Sequence, residues 1–179
     1  MDPSVYLEPP GEGRSRETRI RRDAQGRWWN DGVPITHPGL TRAFDAWIDL
    51  AEDGRFCLRN DVNWAYVAIE GPPLFARTAE VRRDPTGEPE VWLGLSDGRE
   101  ERLDPTTLRE GPDGALYCDA RQGTMACRLE RAAMMALADH LDEDEHGSVL
   151  LLGKQRVRPH RTGTPLVPGR DAVVEPRSR

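Results

Sequence analysis

The stretch DGRFCLRNDVNWAYVAIE, residues 53–70, returns sixty positions later as DGALYCDARQGTMACRLE, residues 113–130. The spacing aligns the two Asp-Gly pairs, and it aligns Glu70 with Glu130. Apolar residues alternate in phase in both copies, with the period of a β-strand. Each copy therefore predicts a turn, a strand, a polar connection and a second strand. The predicted strands are residues 55–59 and 64–70 in the first copy, and residues 115–119 and 124–129 in the second.

Two explanations of this repeat are open at the level of sequence. A duplicated small α+β unit is the organising hypothesis that we adopt. Two hairpins can also resemble each other by chance, because each needs an Asp-Gly turn and alternating apolar residues.

The segments outside the repeat predict further strands and two helices. The additional strands cover residues 19–23, 27–30, 33–35, 74–82, 90–95 and 100–103. Residues 38–51 predict a helix because apolar residues such as Leu40 and Phe44 recur at steps of three and four. Residues 131–141 predict a second helix on the same grounds, and residues 149–152 predict a last strand that extends the sheet.

Composition divides the chain into four parts. Residues 1–17 are rich in Pro and Gly and predict a disordered N-terminal segment, whereas residues 154–179 predict a basic disordered tail. Residues 18–73 and 74–153 predict two α+β halves. These halves should pack together, because a domain of about 60 residues buries only about 60% of its unfolded surface.

The charge of the chain argues against a nucleic-acid partner. The net charge is −6, and residues 154–179 hold seven basic and two acidic residues, or +5, so the rest of the chain carries −11. Phosphate binding needs a concentrated basic face on the folded part of a protein, and here the folded part is acidic.

The cysteines and the hydropathy predict a soluble, cytoplasmic protein. Cys57, Cys118 and Cys127 form no C-x-x-C pair and are odd in number, which argues against a disulfide framework or a structural zinc site. They fall on apolar strand faces, as core thiols in a reducing cytoplasm do. No apolar run approaches the roughly 18 residues that span a bilayer, and no apolar segment follows a basic N-terminus, so we expect no membrane partner.

Several catalytic signatures are absent from the sequence, including the G-x-S-x-G elbow, the phosphate-binding loop and the dinucleotide fingerprint.

Residues 139–146, DHLDEDEH, form the one dense group of metal-capable side chains. They lack the residue order of a calcium loop and a second cluster to complete the coordination. A solvated acidic helix end is the simpler interpretation, and we predict no metal and no cofactor.

The aromatic residues are the more informative candidates for binding. Trp28 and Trp29 should lie on opposite faces of one strand, so one of them points away from its own core. That indole either covers the other half of the protein or stacks on a planar ligand beside Arg27 or Arg42. His37 is a candidate acid, base or phosphate contact ahead of the first helix, and capping that helix or packing on Trp28 is its structural alternative.

The chain also resembles a known family. The match begins with Ile20-x-x-Asp23, Gly26-Arg27-Trp28-Trp29-x-x-Gly32-x-Pro34-Ile35, Leu40, Phe44 and Asp53-Gly54, and it continues at Val62, Val67, Ile69, Glu70 and Pro73. Residues 116–141 are similar to the family's ending. Together these residues look like the mostly proteobacterial family called domain of unknown function 1285, over roughly residues 19–141.

The resemblance implies a duplicated α+β core whose second part is superficially like a pleckstrin-homology fold. It also implies a pocket at the junction of the halves for a nucleotide-like molecule in signalling, although no activity is established for the family. The chain departs from the family at Asn60, Asp61, Asn63, Gly71 and His37. If those positions contact the ligand, this member binds differently or has lost binding.

Taken together, we predict an α+β protein of two packed, duplicated halves with antiparallel sheets and no catalytic activity. It should bind a small, nucleotide-like ligand at the junction of the halves. The predicted ligand-binding residues are Arg27, Trp28, His37, Arg42, Trp64 and Glu70. The aromatic rings would stack, the cations would meet phosphate and Glu70 would accept hydrogen bonds.

Two alternatives accompany this prediction. The first is a protein-interaction adaptor that contacts a protein partner through an exposed aromatic patch. The second is a metal-dependent enzyme that uses the carboxylates and histidines of residues 139–146.

Overall fold

The computed structural model describes residues 15–176, and the chain divides after Pro73 into two compact units, Met1–Pro73 and Leu74–Arg179. Strands dominate both units and helices are few, so the α+β class is confirmed. The segment predicted to be disordered at the N-terminus lies outside the described residues up to position 14. Its last residue, Glu17, is already the first residue of a strand.

Within residues 15–73, unit 1 is one sheet with one helix. Its elements are β1 (Glu17–Arg22), β2 (Trp28–Asn30), β3 (Val33–Pro34), α1 (Pro38–Trp47), β4 (Ile48–Leu50), β5 (Phe56–Arg59) and β6 (Trp64–Ile69). The strand order is β3-β2-β1-β6-β5-β4. Neighbouring strands are antiparallel except for β1 and β6, which are parallel. The predicted antiparallel pairing therefore holds for every neighbouring pair of this sheet except β1 and β6, because the long connection through α1 brings β6 back in the direction of β1.

The tight turns of unit 1 follow from its glycines and from one aspartate. Asp31 and Gly32 both adopt positive φ, 50° and 80°, and connect β2 to β3 as a two-residue loop. Hairpin turns that match the strand twist need positive φ at both central positions. This requirement explains the Asp-Gly pair at that point of the sequence.

Helix α1 is shorter than its periodicity predicts. It ends at Trp47, and Ile48–Leu50 continues as β4, which pairs with β5. The backbone of Ala51 then bonds that of Arg55 to close the turn. Ile48 is fully buried, as it would be in a continued helix. Ending the helix at Trp47 lets residues 48–50 form strand hydrogen bonds with the edge of β5.

Unit 2 contains two sheets. The larger one uses β7 (Leu74–Arg83), β8 (Pro89–Leu95), β9 (Glu100–Arg102), β10 (Arg109–Glu110), β11 (Leu116–Ala120), β12 (Met125–Leu129) and β16 (His160–Arg161). Its order is β16-β10-β11-β12-β7-β8-β9. The smaller one uses β13 (Leu141–Asp144), β14 (Gly147–Leu152), β15 (Gln155–Arg158) and β17 (Val173–Pro176), in the order β13-β14-β15-β17.

The two units share one topology. From β9 to β10, the order β9-β8-β7-β12-β11-β10 repeats the order β3-β2-β1-β6-β5-β4 of unit 1, and β7 and β12 are parallel as β1 and β6 are. The helix α1 is replaced in unit 2 by a single 3₁₀ turn, Pro105–Thr107. A shared strand order with the same parallel pair supports duplication over chance similarity.

The hairpin register differs between the copies. Cys57 pairs with Tyr66 in unit 1, whereas Tyr117, sixty positions later, pairs with Arg128. An unchanged register would pair Tyr117 with Ala126, so the observed partner, Arg128, lies two residues further along β12. A shift of two keeps every side chain on its original face, so the apolar pattern is preserved in both copies.

Three predictions for the second half are wrong in detail. The second helix, α2, covers only Arg131–Ala136 and is followed by a 3₁₀ turn, Ala138–His140. Of the acidic stretch that we expected at a helix end, Asp139 and His140 lie in that 3₁₀ turn, whereas Leu141–Asp144 forms β13. Residues 149–152 lie in β14, which belongs to the smaller sheet rather than extending the larger one.

The basic tail is ordered over much of its length, contrary to the prediction from composition. Gln155–Arg158 pairs with both β14 and β17. Between the strands, the backbone carbonyl of Pro165 accepts from Arg109, and the N–H of Gly169 donates to Asp119. Composition failed here because it counts only the residues of the tail itself. The side chains that hold the tail in place, Arg109 and Asp119, lie about fifty residues earlier in the chain.

Candidate functional site

The predicted ligand residue Trp28 is a core residue. Its side chain is 2% exposed, and its ring meets Phe44 of α1 edge-on at 5.3 Å. Its indole N–H donates to Asp45 Oδ1 at 2.9 Å. A ring enclosed in this way has no free face to stack on a ligand, so the structural alternative explains Trp28.

The predicted residues on and before α1 lie on the same side of the sheet as Trp28, the side against which α1 packs. His37 caps the helix, since its Nδ1 accepts from the backbone N–H of Leu40 at 3.3 Å. Arg42 is exposed on α1. The capping role anticipated for His37 is therefore the one observed.

The other three predicted residues lie elsewhere. Trp64 is half-buried, and strand alternation together with the pairing of β6 places it on the opposite face from α1. Glu70 is exposed and pairs with Arg21 at 3.2 Å. Arg27 is exposed and pairs with Asp23 at 2.8 Å. The six predicted residues do not converge on one pocket within unit 1.

The face of unit 1 opposite α1 carries aromatic and arginine side chains. Arg21 faces Trp29 across β1 and β2, and Arg59 faces Trp64 across β5 and β6. We call this surface the aromatic face; its rings are Trp29, Trp64 and Tyr66, and its cations are Arg16, Arg21, Arg55 and Arg59.

The rings of the aromatic face are covered by guanidinium groups. Arg16 lies 4.2 Å from the centre of the Trp64 ring, and Arg55 lies 3.3 Å from that of Tyr66. Trp64 and Tyr66 meet at right angles with ring centres 5.0 Å apart. Such stacked cations are attracted to the negative faces of the rings, so the aromatic face presents cation–π pairs rather than bare rings.

Asp23 fixes one end of this face. Its Oδ2 accepts from the indole N–H of Trp29 at 3.0 Å and from Arg27 Nε at 2.8 Å. Burial raises the pKa of Asp23, but the hydrogen bonds from the Arg27 backbone, the Trp29 indole and the Arg27 side chain outweigh burial and lower this pKa to about 2. The carboxylate therefore stays ionised and holds Trp29 in place.

Unit 2 contains a cleft of about 580 Å³. We call it the hairpin cleft, because it lies where the loop between β7 and β8 meets the turn between β14 and β15. Its apolar lining includes Val91, Leu103 and Leu152, which are all at least 95% buried. Gly153 permits the close approach, since a Cβ at this position would lie 2.8 Å from Pro89.

The rim of the hairpin cleft is charged. Lys154 bonds Glu88 at 3.0 Å across the two hairpins. Glu90 accepts from the indole of Trp92 at 2.7 Å and from Arg102 at 3.1 Å. The hydrogen bond from Trp92, followed by that from Arg102, lowers the pKa of Glu90.

A second carboxylate of the cleft is held by its own loop. Asp84 Oδ1 accepts from the hydroxyl and backbone N–H of Thr86 and from the backbone N–H of Glu88. The Thr86 hydroxyl is the main cause of a lowered pKa at Asp84. These contacts shape the loop that forms one wall of the cleft.

The acidic stretch considered for metal binding is distributed along a strand. Asp144 bonds Arg156 and Arg158, so the carboxylate joins β13 to β15. Across residues 15–176, the structure brings together no group of three or more His, Cys, Asp or Glu side chains that could hold a metal ion.

The hairpin cleft escaped the sequence prediction for a physical reason. Glu88 and Lys154 are 66 residues apart, and no local sequence pattern at either residue predicts that the two make contact. The aromatic face was partly predictable, because alternation required Trp28 and Trp29 to point in opposite directions. The sequence did not reveal which of the two was buried.

Comparison with known proteins finds solved structures with a similar fold. No protein-family model and no curated protein matches the chain. A crystal structure of a DUF1285 family protein from Silicibacter pomeroyi matches with a TM-score of 0.58 and 19% identity, over 93% of this chain and 87% of that one. A second, from Shewanella baltica, matches with a TM-score of 0.50 and 19% identity, over 70% of this chain and 94% of that one.

In the part of the chain that the structure describes, no helix combines the length and the hydropathy needed to cross a membrane. The two structural matches confirm the resemblance read from the sequence, since both solved proteins are members of the domain of unknown function 1285 family. This chain has the fold of the DUF1285 family proteins.

Proposed function

We propose that this chain is a non-catalytic protein that binds a small ligand in the hairpin cleft of unit 2. The observation that carries the proposal is the cleft itself. Its volume of about 580 Å³ falls within the range of roughly 300–1,000 Å³ typical of small-molecule sites. The cleft combines a buried apolar floor with six charged side chains at the rim; an apolar floor with placed polar groups is a feature of such sites, and the charged share is higher here than is usual.

The charges of the cleft indicate the class of ligand. Its carboxylates outnumber its cations by four to two; they are Asp84, Glu88, Glu90 and Asp104 against Arg102 and Lys154. This balance favours a ligand with an apolar body and a cationic group, such as a primary amine. The nucleotide-like ligand that the family resemblance implies would have to bind its phosphate through Arg102 and Lys154.

The electrostatics of the cleft favour binding over catalysis. A general acid at neutral pH needs a raised pKa, whereas hydrogen bonds from Trp92 and Arg102 lower the pKa of Glu90. An ionised, immobilised carboxylate is suited to pairing with a cation. We therefore propose no catalytic residue and no cofactor.

Thermal melting tests this proposal directly. The protein would be melted against primary amines with aromatic or aliphatic bodies and, separately, against adenine and guanine nucleotides. A ligand present at a hundred times its Kd stabilises the folded state by about 2.7 kcal/mol. We expect an amine to raise the Tm, and a panel with no shift for the cooperatively folded protein would contradict the proposal.

A matched pair of variants locates the site. Glu88→Gln removes a rim carboxylate of the cleft, and Glu80→Gln removes an exposed carboxylate of β7 that lies outside it. Both side chains form one ion pair with a neighbouring cation. We expect Glu88→Gln to weaken amine binding about tenfold and Glu80→Gln to leave it unchanged.

We also propose that the protein works in the cytoplasm, with a part in signalling. Cys57, Cys118 and Cys127 are all free and buried, which agrees with a reducing compartment. The signalling role is implied by the family resemblance alone. Fractionation of the native cells, followed by immunodetection, would check the compartment.

A second candidate is a protein-interaction adaptor that uses the aromatic face. Trp, Tyr and Arg are the residue types most enriched at the energetic centres of protein interfaces, and all three cluster there. Trp64→Ser should abolish capture of a protein partner, whereas Val33→Ser, at a 65% exposed apolar residue of β3, should not. Equal capture by both variants would remove the aromatic face from consideration.

A further inference from the structure

Two of the three cysteines face each other across the central hairpin of the larger sheet in unit 2. Cys118 of β11 and Cys127 of β12 are direct cross-strand partners. Facing residues of an antiparallel pair have Cα atoms about 4.5–5.5 Å apart, and disulfides need a Cα separation of about 4.4–6.8 Å. The backbone already holds this pair at a bonding distance.

The two thiols also contact each other. A hydrogen bond with the Cys118 thiol, followed by burial, raises the pKa of Cys127. Both side chains are fully buried. The sulfur atoms are therefore adjacent and shielded from solvent in the folded state.

Comparison with unit 1 shows that this pairing is particular to the second copy. The positions sixty residues earlier are Leu58 and Val67, which are both buried and apolar. Leu58 pairs with Ala65 rather than with Val67. The two-residue difference in register is what brings Cys118 opposite Cys127.

We propose that Cys118 and Cys127 form a covalent cross-link site that a low-molecular-weight disulfide, such as oxidised glutathione, converts to an intramolecular disulfide. One protein thiolate attacks a glutathione sulfur and releases one glutathione thiol. The second protein thiolate then attacks the mixed disulfide and releases the other. Two electrons pass from the cysteines to glutathione, and the two protons that the cysteines lose end on the released thiols.

Burial determines when this reaction occurs. A buried, protonated thiol reacts slowly because the thiolate is the nucleophile. The bond therefore forms while the chain folds, or when the hairpin opens, and the intact folded protein resists it. In a reducing compartment the pair stays as thiols, and under oxidising conditions the bond locks β11 to β12.

The experiment is refolding of the full chain from denaturant in a glutathione buffer poised to oxidise stable disulfides. Intact mass, peptide mapping and thermal melting would be compared with those of the protein kept in reductant. We expect the loss of two hydrogens, a peptide that links Cys118 to Cys127, and a Tm that is several degrees higher, as closing a loop on the unfolded chain predicts.

Two variants keep the outcome decisive. Cys57→Ala removes the third cysteine and should leave the cross-link intact. Cys127→Val places at this position the residue found at its counterpart Val67, and should refold without any internal cross-link. Persistent free thiols, a link through Cys57, or a lower Tm for the oxidised protein would overturn the proposal.

Discussion

Asp45 joins two buried polar side chains in the core of unit 1. Its Oδ1 accepts from Arg22 at 3.0 Å and from the indole of Trp28 at 2.9 Å, and both the Arg22 and the Asp45 side chains are at least 95% buried. Arg22 also donates to the carbonyl of Pro73 at 2.9 Å. A buried charge with so many fixed partners tolerates no loss of its counter-ion.

We therefore expect Asp45→Ala to lower the free energy of unfolding by about 3–5 kcal/mol, because it removes the carboxylate that pairs with the buried Arg22 charge. Urea denaturation followed by tryptophan fluorescence would measure the change. The control is Arg19→Ala, which breaks an ion pair whose side chains are 77% and 64% exposed and should cost about 1 kcal/mol or less. Similar losses for both variants would show that the buried pair does not hold the core.

Asp23 links stability to acid. Burial raises its pKa, but hydrogen bonds led by that of the Arg27 backbone lower the pKa from 3.8 to about 2 in the folded protein. A carboxyl whose pKa falls on folding contributes stability above its unfolded pKa. That contribution is lost as the pH falls from about 4 to about 2.

Asp23→Asn should flatten this part of the stability profile. With allowance for partial solvent screening, the wild type should lose about 1–2 kcal/mol more than the variant between pH 4 and pH 2. Urea midpoints measured at half-unit pH steps would show the difference. Asp31→Asn, at an exposed pair, should keep the slope of the wild type, and a steep slope in Asp23→Asn would assign the acid sensitivity to another group.

At the scale of elements, local pattern predicted strands well and element ends poorly. The alternation of residues 64–70 predicts β6, and the observed strand, Trp64–Ile69, differs from it by one residue. The periodicity of residues 38–51 cannot show that α1 stops at Trp47, because Ile48 is buried whether it continues the helix or begins β4. The smaller sheet of unit 2 combines two local hairpins, β13–β14 and β14–β15, with the more distant strand β17, and only the pairing of β17 lies beyond the reach of local pattern.

Gly71 is an element boundary where size decides the structure. A Cβ at this position would lie 2.6 Å from the Cα of Ala24, so only glycine lets the turn after β1 pass the end of β6. This close approach gives a structural reason why the chain has glycine at position 71, one of the positions where it departs from the family pattern.

Gly71→Ala should destabilise the protein by about 1–3 kcal/mol, because the neighbouring backbone must move. The matched control is Gly163→Ala, where a Cβ would meet no atom within 4 Å and where the change should stay within about 0.5 kcal/mol. Differential scanning calorimetry of both variants would test this. An unchanged Tm for Gly71→Ala would mean that the turn is not tightly packed.

At the scale of the whole molecule, the two units share one strand order but cover and extend their sheets differently. Unit 1 covers one face of its sheet with α1 and exposes the aromatic face, while unit 2 replaces that helix with a 3₁₀ turn. Unit 2 then adds the smaller sheet, whose turn at Gly153 and Lys154 forms one wall of the hairpin cleft. The feature we assign to ligand binding therefore arises where the second copy departs from the first.

The five tryptophans of the chain report on both candidate surfaces. The indole of Trp92 donates to Glu90, which lines the hairpin cleft. Trp29 and Trp64 lie on the aromatic face, and Trp28 is buried in the core of unit 1. Labelling the indole nitrogens with ¹⁵N therefore gives each surface its own signal and provides an internal control.

The most direct test of ligand binding in the hairpin cleft is an NMR titration of this labelled protein with the primary amines of the melting panel. We expect the indole signal of Trp92 to move and saturate, while the signals of Trp28, Trp29 and Trp64 stay in place. Movement of the Trp29 and Trp64 signals with a fixed Trp92 signal, or no movement of any of the five, would contradict it.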